Sequence, residues 1–343
     1  MHAHVTPPTV RLADHAITID DLRNDHRTHL PDHPKLLALL RYLGQTGVET
    51  LYWSRPIEEA AAPVGVEART QAANADARRM AAEAATEAIA SAGLSPGDID
   101  AVITSHTVWA LPTLDVTLVG DVGLRPDVAR IPMATVACAG GVQGLVRATD
   151  LVRARPGTRV LVVVSEVLST SYHRSETTPQ HAIYKALFSD SAAACVVSAD
   201  PLAPGFAIEE TWEWVMPDSD DRYWGRLDAA GFHFESTKMA PAAPRDSMPD
   251  LVKWLDGWRP SWVVIHPGGP GIIEDVARAL DLDPAVAARH AYASLTENGN
   301  LGGAGVLDVL RRTHSTPPPA GADGLMVGFG PGFTVTALRG TWR

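Results

Sequence analysis

The chain has two cysteines in 343 residues, few aromatics and no surplus of positive charge. Cys138 and Cys195 stand 57 positions apart, and the second sits in an apolar run, so no disulfide framework is expected. A reducing, cytoplasmic setting is the simpler reading. Lys and Arg number 29 against 40 Asp and Glu, a formal charge of −11. A general nucleic-acid binder carries a basic face, so that class is disfavoured, and so is a membrane-surface role. No run of 18 consecutive apolar residues occurs, and none reads as a transmembrane helix. The opening MHAHVTPPTVRLADHAITIDD lacks the apolar stretch of a secretory signal. His2 and His4 are two ligands at a chain end, too few for a site, and no metal is expected.

With 45% apolar residues, a chain this long can bury a large core without staples. DARRMAAEAATEAIASA (76–92) predicts an Ala-rich helix closed by Gly93. DIDAVITSH (98–106) and ARIPMATVAC (129–138) predict strands, and TLDVTLVGDVGL (113–124) a helix. GGVQGLVRATDLVRA (140–154) predicts a helix directly behind Cys138. The unbroken Val and Leu of TRVLVVVSEV (158–167) predict a fully buried strand. SAAACVVSA and FAIEETWEWVM continue as strands. Residues 216–250 lose periodicity and predict a long connection with short strands at most. MPDLVKWLDG, GIIEDVARAL and GAGVLDVLRR then predict helices, SWVVIH a strand, and GLMVGFGPGFTVTALRG two strands about a tight turn. The halves rhyme: a strand ends at Cys138 before a Gly-led helix, and another at His266 before PGGPGIIEDV. This alternation predicts an α/β fold with buried sheets, divided as 1–200 and 201–343.

Three residues invite a chemical reading. A thiol at position 138, just before a helix, meets the positive end of the helix dipole, which favours the thiolate. Gly140 and Gly141 would let a substrate approach the backbone. The bland alternative is a core cysteine, and Cys195, mid-strand among small residues, is read as one. His266 at a strand end suits a base or donor, or a satisfied structural histidine. Asn300 in TENGNLGGAG either caps the following helix or aims its amide at a developing oxyanion.

CAGG (138–141), HPGGP (266–270), GN-x-x-x-A (299–304) and GFGPGF (328–333), in this order, resemble the type III polyketide synthases, the chalcone synthase family. ALPTLD (110–115), GLRP (123–126) and ALFSDSAAA (186–194) also fit. ITIDDL, DHPKL and TGVET resemble the bacterial, actinomycete branch that includes tetrahydroxynaphthalene synthase-like enzymes. The resemblance implies a thiolase-like fold, a duplicated α/β/α/β/α five-layer core, and a homodimer. It implies that Cys138 carries an acyl group as its thioester, with His266 pairing with the thiolate as imidazolium. His266 and Asn300 would stabilise the enolate of decarboxylating malonyl-CoA. Iterative condensation and ring closure would follow, with no cofactor beyond CoA thioesters. It implies gatekeeper roles for Phe188 and Phe234 and cavity positions at His106, Tyr184, Gly225, Gly302, Gly328 and Pro331. Arg41 and Gly271 match CoA-contacting positions, and Leu111 the residue that reaches toward the partner's cavity.

The departures are local. ALFSDS puts Ser189 and Ser191 where the family has glycines, which predicts a smaller or reshaped cavity. Ala137 and Gly302–Gly303 also differ from common family residues. Gly225 stands nine residues before Phe234, where malonyl-primed relatives carry a tyrosine, with Tyr223 and Trp224 beside it; this puts malonyl priming in doubt. Glu49, Thr50 and Leu51 replace cations at the expected CoA entrance, which points to a carrier-protein-bound starter as an alternative to acyl-CoA. The competing chemical reading is a ketoacyl synthase III-like acyltransferase that passes an acyl group to an alcohol or amine without iterative extension.

Overall fold

A computed structural model describes residues 2–343. Its strands, in chain order, begin with Ala3–Val5 (β1), Thr9–Leu12 (β2), His15–Thr18 (β3) and Thr50–Trp53 (β4). Ala101–His106 (β5), Ala129–Ala134 (β6), Val160–Glu166 (β7) and Ser191–Ser198 (β8) follow. The rest are Phe206–Val215 (β9), Tyr223–Asp228 (β10), Gly231–Ser236 (β11), Trp262–Ile265 (β12), Asp323–Gly330 (β13) and Thr334–Trp342 (β14). Ten of them form one sheet in the order β12-β13-β14-β9-β1-β8-β7-β5-β6, with β2 also paired to β8. β5 runs parallel to both β6 and β7, and β12 parallel to β13; the other pairings are antiparallel. β10 and β11 form a separate hairpin.

Helices Gly140–Ala154 and Gly305–Ser315 lie between the two halves of this sheet and touch strands of both. Their glycines explain the close fit. A Cβ on Gly141 would stand 2.2 Å from the Gly303 carbonyl, and one on Gly140 2.0 Å from Ser105 Oγ. The glycines behind Cys138 therefore serve helix packing, not the close approach of a substrate. The Ala-rich helix, Gly65–Ser91, covers the outer face of β7 and β8 with Ala77, Ala81, Ala84, Ala85 and Ala88 all buried. Small side chains let that helix sit close to the sheet. On the opposite outer face, Ala243–Leu255 packs through Trp254, whose ring stacks on Trp212 of β9 at 5.8 Å. The layers run helix, sheet, helix, sheet, helix, the thiolase-like arrangement.

Helix 140–154 and the strands β7, β8 and β9 fall where the pattern predicts them. β6 stops at Ala134, four residues before Cys138, because the chain must turn to start the helix. The weakly patterned 216–250 stretch holds the β10–β11 hairpin and the start of helix Ala243–Leu255. Among the described residues no helix is long and apolar enough to cross a membrane.

Candidate active site

After β6 the backbone reverses sharply. Thr135 and Ala137 take left-handed φ values of 61° and 48°. Cys138 lies in the single 3-10 turn Ala137–Ala139, which runs into helix Gly140–Ala154. His266 directly follows β12, and its N–H donates to the Val327 carbonyl at 2.9 Å. Asn300 follows helix Arg289–Asn298. Its N–H donates to Leu187 O at 2.7 Å and its carbonyl accepts from Ser189 N at 3.0 Å, so it is clamped on either side of Phe188. The side-chain Oδ1 accepts from Gly302 N at 2.9 Å, and Nδ2 points at Cys138 Sγ from 3.9 Å. One end of the amide caps the turn and the other faces the thiol.

Cys138, His266 and Asn300 open onto one chamber of about 560 Å³. A second chamber of about 350 Å³ lies behind it, and both share Ala137, Cys138, Phe188, Phe234 and Pro331. Phe188 and Phe234 meet edge to face at 5.2 Å between the two spaces. Tyr184 stacks on Phe188 at 5.7 Å and meets Phe234 edge-on at 4.9 Å. Tyr223 lines the first chamber and stacks on Phe234 at 6.0 Å. Two residues along the same strand face, Gly225 lines the second chamber, where a Cβ would stand 2.5 Å from the Phe232 ring. The phenol at 223 thus faces the first chamber, and position 225 offers none to the second.

Burial dominates the electrostatics of the thiol and the imidazole. Burial, with Glu166 nearby, pushes the Cys138 thiol up to about 12. Burial pushes His266 down to about 4. Burial disfavours the charged form of each group, the thiolate and the imidazolium. Glu166, which no sequence motif singles out, ends β7 and is fully buried. Its Oε2 accepts from Thr107 N at 3.1 Å, while Oε1 has no hydrogen-bond partner. Burial raises its carboxyl to about 7. Gly302, at φ 59°, passes close enough that a Cβ would stand 2.9 Å from Glu166 Cγ.

Other positions lie as follows. Gly302 and Pro331 line the second chamber, and Gly271 the first. Gly328 faces Val142 in the core, and Phe329, Gly330 and Pro331 supply the wall instead. His106 lies in a separate pocket of about 170 Å³ with Leu111 and Pro112; its neighbour Thr107 lines the second chamber. Leu111 is 79% exposed. Arg41 sits on the surface of helix Leu36–Leu43 with its guanidinium over Tyr42, while Gln45 and Thr46 just beyond line the first chamber. Ser189 and Ser191 do not narrow the cavity. Ser189 Oγ accepts from Tyr52 N at 3.0 Å, Ser191 Oγ donates to Leu301 O at 3.4 Å, and both side chains are buried away from it. Cys195 is buried in β8 opposite Val162.

A duplicated five-layer α/β core that brings a cysteine, a histidine and an asparagine to one chamber is the arrangement of the thiolase-like acyltransferases. The profile for "Chalcone and stilbene synthases, N-terminal domain" matches residues 41–201, and that for the C-terminal domain residues 208–339. The chain is 32% identical to the 1,3,6,8-tetrahydroxynaphthalene synthase of Streptomyces griseus, over 98% of this chain and 91% of that one. It is also 32% identical to the phloroglucinol synthase of Pseudomonas fluorescens, over 98% of both. The solved structure of germicidin synthase from Streptomyces coelicolor superposes with a TM-score of 0.95 at 30% identity, covering both chains entirely. The chain belongs to the chalcone and stilbene synthase family: it is a type III polyketide synthase, an acyltransferase.

Proposed function

We propose that Cys138 accepts an acyl group from a thioester and that malonyl-CoA supplies two-carbon units to it. The sulfur forms the acyl bond, free CoA leaves, and the thiol proton moves to His266. Burial disfavours both charged forms, so in this reading the proton moves during attack. A protonated Glu166 helps, since a carboxylate there opposes the thiolate. Decarboxylation of malonyl-CoA then places an enolate oxygen against His266 and Asn300 Nδ2. The enolate carbon attacks the acyl-Cys138 thioester and expels the Cys138 sulfur, leaving the extended chain on CoA; transfer of that chain back to Cys138, with release of CoA, begins the next round, and Phe188 and Phe234 gate the growing chain into the second chamber. Repeated extension and ring closure give an aromatic or pyrone product. The carrying observation is the approach of Asn300 Nδ2 to Cys138 Sγ, in a chamber shared with His266, at the mouth of a second space.

The reaction takes no cofactor beyond CoA thioesters in this reading. The N-terminal end of helix Pro270–Ala279, with Gly268 to Gly271 along the first chamber, offers backbone N–H groups to CoA phosphates. Among the described residues that line the first chamber Lys238 is the one Lys or Arg, which supports a carrier-protein-bound starter. Leu111 and Trp109, both strongly exposed, support a homodimer in which this loop packs on a second copy. The two unpaired thiols support a cytoplasmic setting. We read the halves as 1–200 with the nucleophile and 201–343 with the histidine and asparagine.

The test is incubation with malonyl-CoA and a panel of acyl-CoA and acyl-carrier-protein starters, reading CO2 release and product mass. Products longer than the starter by two-carbon units, with CO2, are expected. Acyl transfer to an alcohol or amine without CO2 would overturn the reading in favour of the simple acyltransferase. A strong preference for acyl-CoA would remove the carrier-protein donor.

A further inference from the structure

Behind the gate, on the face of the β10–β11 hairpin turned away from the chambers, Glu176, His181 and Glu235 converge. One ligand atom from each lies within 4.8 Å of the others. Strand alternation accounts for the placement: Phe234 faces the chambers, so its neighbours His233 and Glu235 face the other way. His181 Nε2 lies 3.3 Å from Glu235 Oε2 and 3.7 Å from Glu176 Oε1. Two ligands on a tetrahedral zinc ion at 2.0–2.1 Å stand about 3.3 Å apart, so these spacings match the edges of such a site.

The surroundings are built rather than incidental. His181 Nε2 is buried and has no hydrogen-bond partner. Its Nδ1 is fixed at 3.0 Å by Thr178 Oγ1, the cap of helix Pro179–Lys185. Glu176 Oε1 is held at 2.5 Å by His233 Nδ1, whose Nε2 meets Asp228 at 2.9 Å and whose ring stacks on His173 at 4.1 Å. A ligating carboxylate oriented by an outer hydrogen-bonded group is the usual support of a metal site. The nearby cations leave the pocket open. Arg226 reaches Glu235 from the opposite oxygen, at 3.6 Å, and Lys185 Nζ donates to the Glu176 backbone carbonyl at 2.6 Å.

We propose that Glu176, His181 and Glu235 bind a divalent transition-metal ion, with zinc the best match in donor set and spacing. Its effect would fall on the gate. The His181 helix carries Tyr184 and leads to Phe188, while Glu235 adjoins Phe234. An ion joining helix and hairpin ties together the two elements that bear the gate aromatics. A wider gate would pull the ligands apart. The site stands apart from the condensation chemistry, which uses no metal, and rests on the proposed gating only for its effect on products.

The test titrates Zn2+ and Co2+ into Cys138→Ala protein, so that the chamber thiol does not compete. Co2+ visible absorption and Tm are followed. Saturation at one ion per chain is expected, with tetrahedral Co2+ bands and a Tm that rises with metal concentration. His181→Ala and Glu235→Gln should each weaken binding at least tenfold. Binding unchanged in both variants, or no binding in the parent, would overturn the site and leave His181 as an ion-pair partner of the two carboxylates. In protein with Cys138 intact, zinc-loaded and chelator-treated samples should differ at least threefold in the ratio of short to long products, and His181→Ala should abolish that difference. Metal bound at this site with no change in products would overturn the link to the gate, whereas absence of any condensation would overturn the proposed reaction instead.

Discussion

Cys138 and Cys195 share an acidity and nothing else. Burial pushes both thiols up to about 12. Cys195 lies mid-strand in a core cluster. Cys138 sits on a turn, opens onto two chambers and has an amide nitrogen aimed at its sulfur. Burial therefore does not separate the two thiols; access and partners do. The largest expected contrast follows. Cys138→Ala should abolish product while unfolding at the parent's denaturant midpoint. Cys195→Ala should keep turnover within about threefold and cost about 1–2 kcal/mol of stability for the lost buried sulfur. Product mass and urea titration on both variants measure this. Loss of activity in a well-folded Cys195→Ala would break the contrast.

Asn300 sharpens it further, because no such donor faces Cys195. Asn300→Ala removes one of two groups proposed at the enolate oxygen. Decarboxylation should fall about 10²–10³-fold, or about 3 kcal/mol of barrier. Loading of Cys138 by an acyl thioester should fall far less. Equal loss of both, read from CO2 release and from intact-protein mass, would show that Asn300 only shapes the turn through Gly302.

Glu166 is the charge that Cys138 has nearby and Cys195 lacks. Its carboxyl holds a proton up to about 7 in the folded state against 4.5 unfolded. The stability linked to that proton is full below 4.5 and is lost as pH rises through 7, at most about 3 kcal/mol. His266 runs the other way. At about 4 folded against 6.5 unfolded, it makes stability rise with pH between those values. The two slopes oppose each other between pH 4.5 and 6.5. Glu166→Gln should remove the falling slope, raise stability at pH 8 by up to about 3 kcal/mol, and speed iodoacetamide alkylation of Cys138 at that pH. A variant whose stability still falls between pH 6.5 and 8 as the parent's does, read by urea titration across pH, would show that Glu166 is not the titrating group.

The parts of the fold that bury unbroken apolar runs are legible in the sequence. β7 and β8 read from their Val and Ala content, and helix 140–154 from its periodicity and the glycines at its start. The β10–β11 hairpin does not stand out: β11 alternates Phe232 and Phe234 with His233 and Glu235, but over six residues only, while β10, YWGRLD, does not alternate and the flanking stretch is weakly patterned. In the site, Cys138, His266 and Asn300 are individually ambiguous and become a set only through resemblance. Glu166 looks like the polar end of a Val strand; its burial depends on Thr107 and Gly302, which are distant in sequence. Gly140 and Gly141 look like room for a substrate and are room for Ser105 of β5 and for the crossing helix, respectively. The Glu176–His181–Glu235 group spans 60 residues and needs the hairpin to fold back onto the helix.

The turn that presents Cys138 carries a smaller cost that β8 does not. Ala137 sits at φ 48°, a left-handed conformation that disfavours a side chain by about 1 kcal/mol. A glycine there removes that strain but also enlarges the unfolded ensemble. Ala137→Gly should therefore change stability by between about zero and 1 kcal/mol in the favourable direction. Ala139, one residue past the thiol, is the control: φ is −75° and its methyl is buried. Ala139→Gly should destabilise by about 1 kcal/mol or more. Urea titration of the pair reads the sign directly. If both glycines destabilise equally, the strain at Ala137 is relieved elsewhere in the turn, and the strained presentation of Cys138 no longer distinguishes it from Cys195.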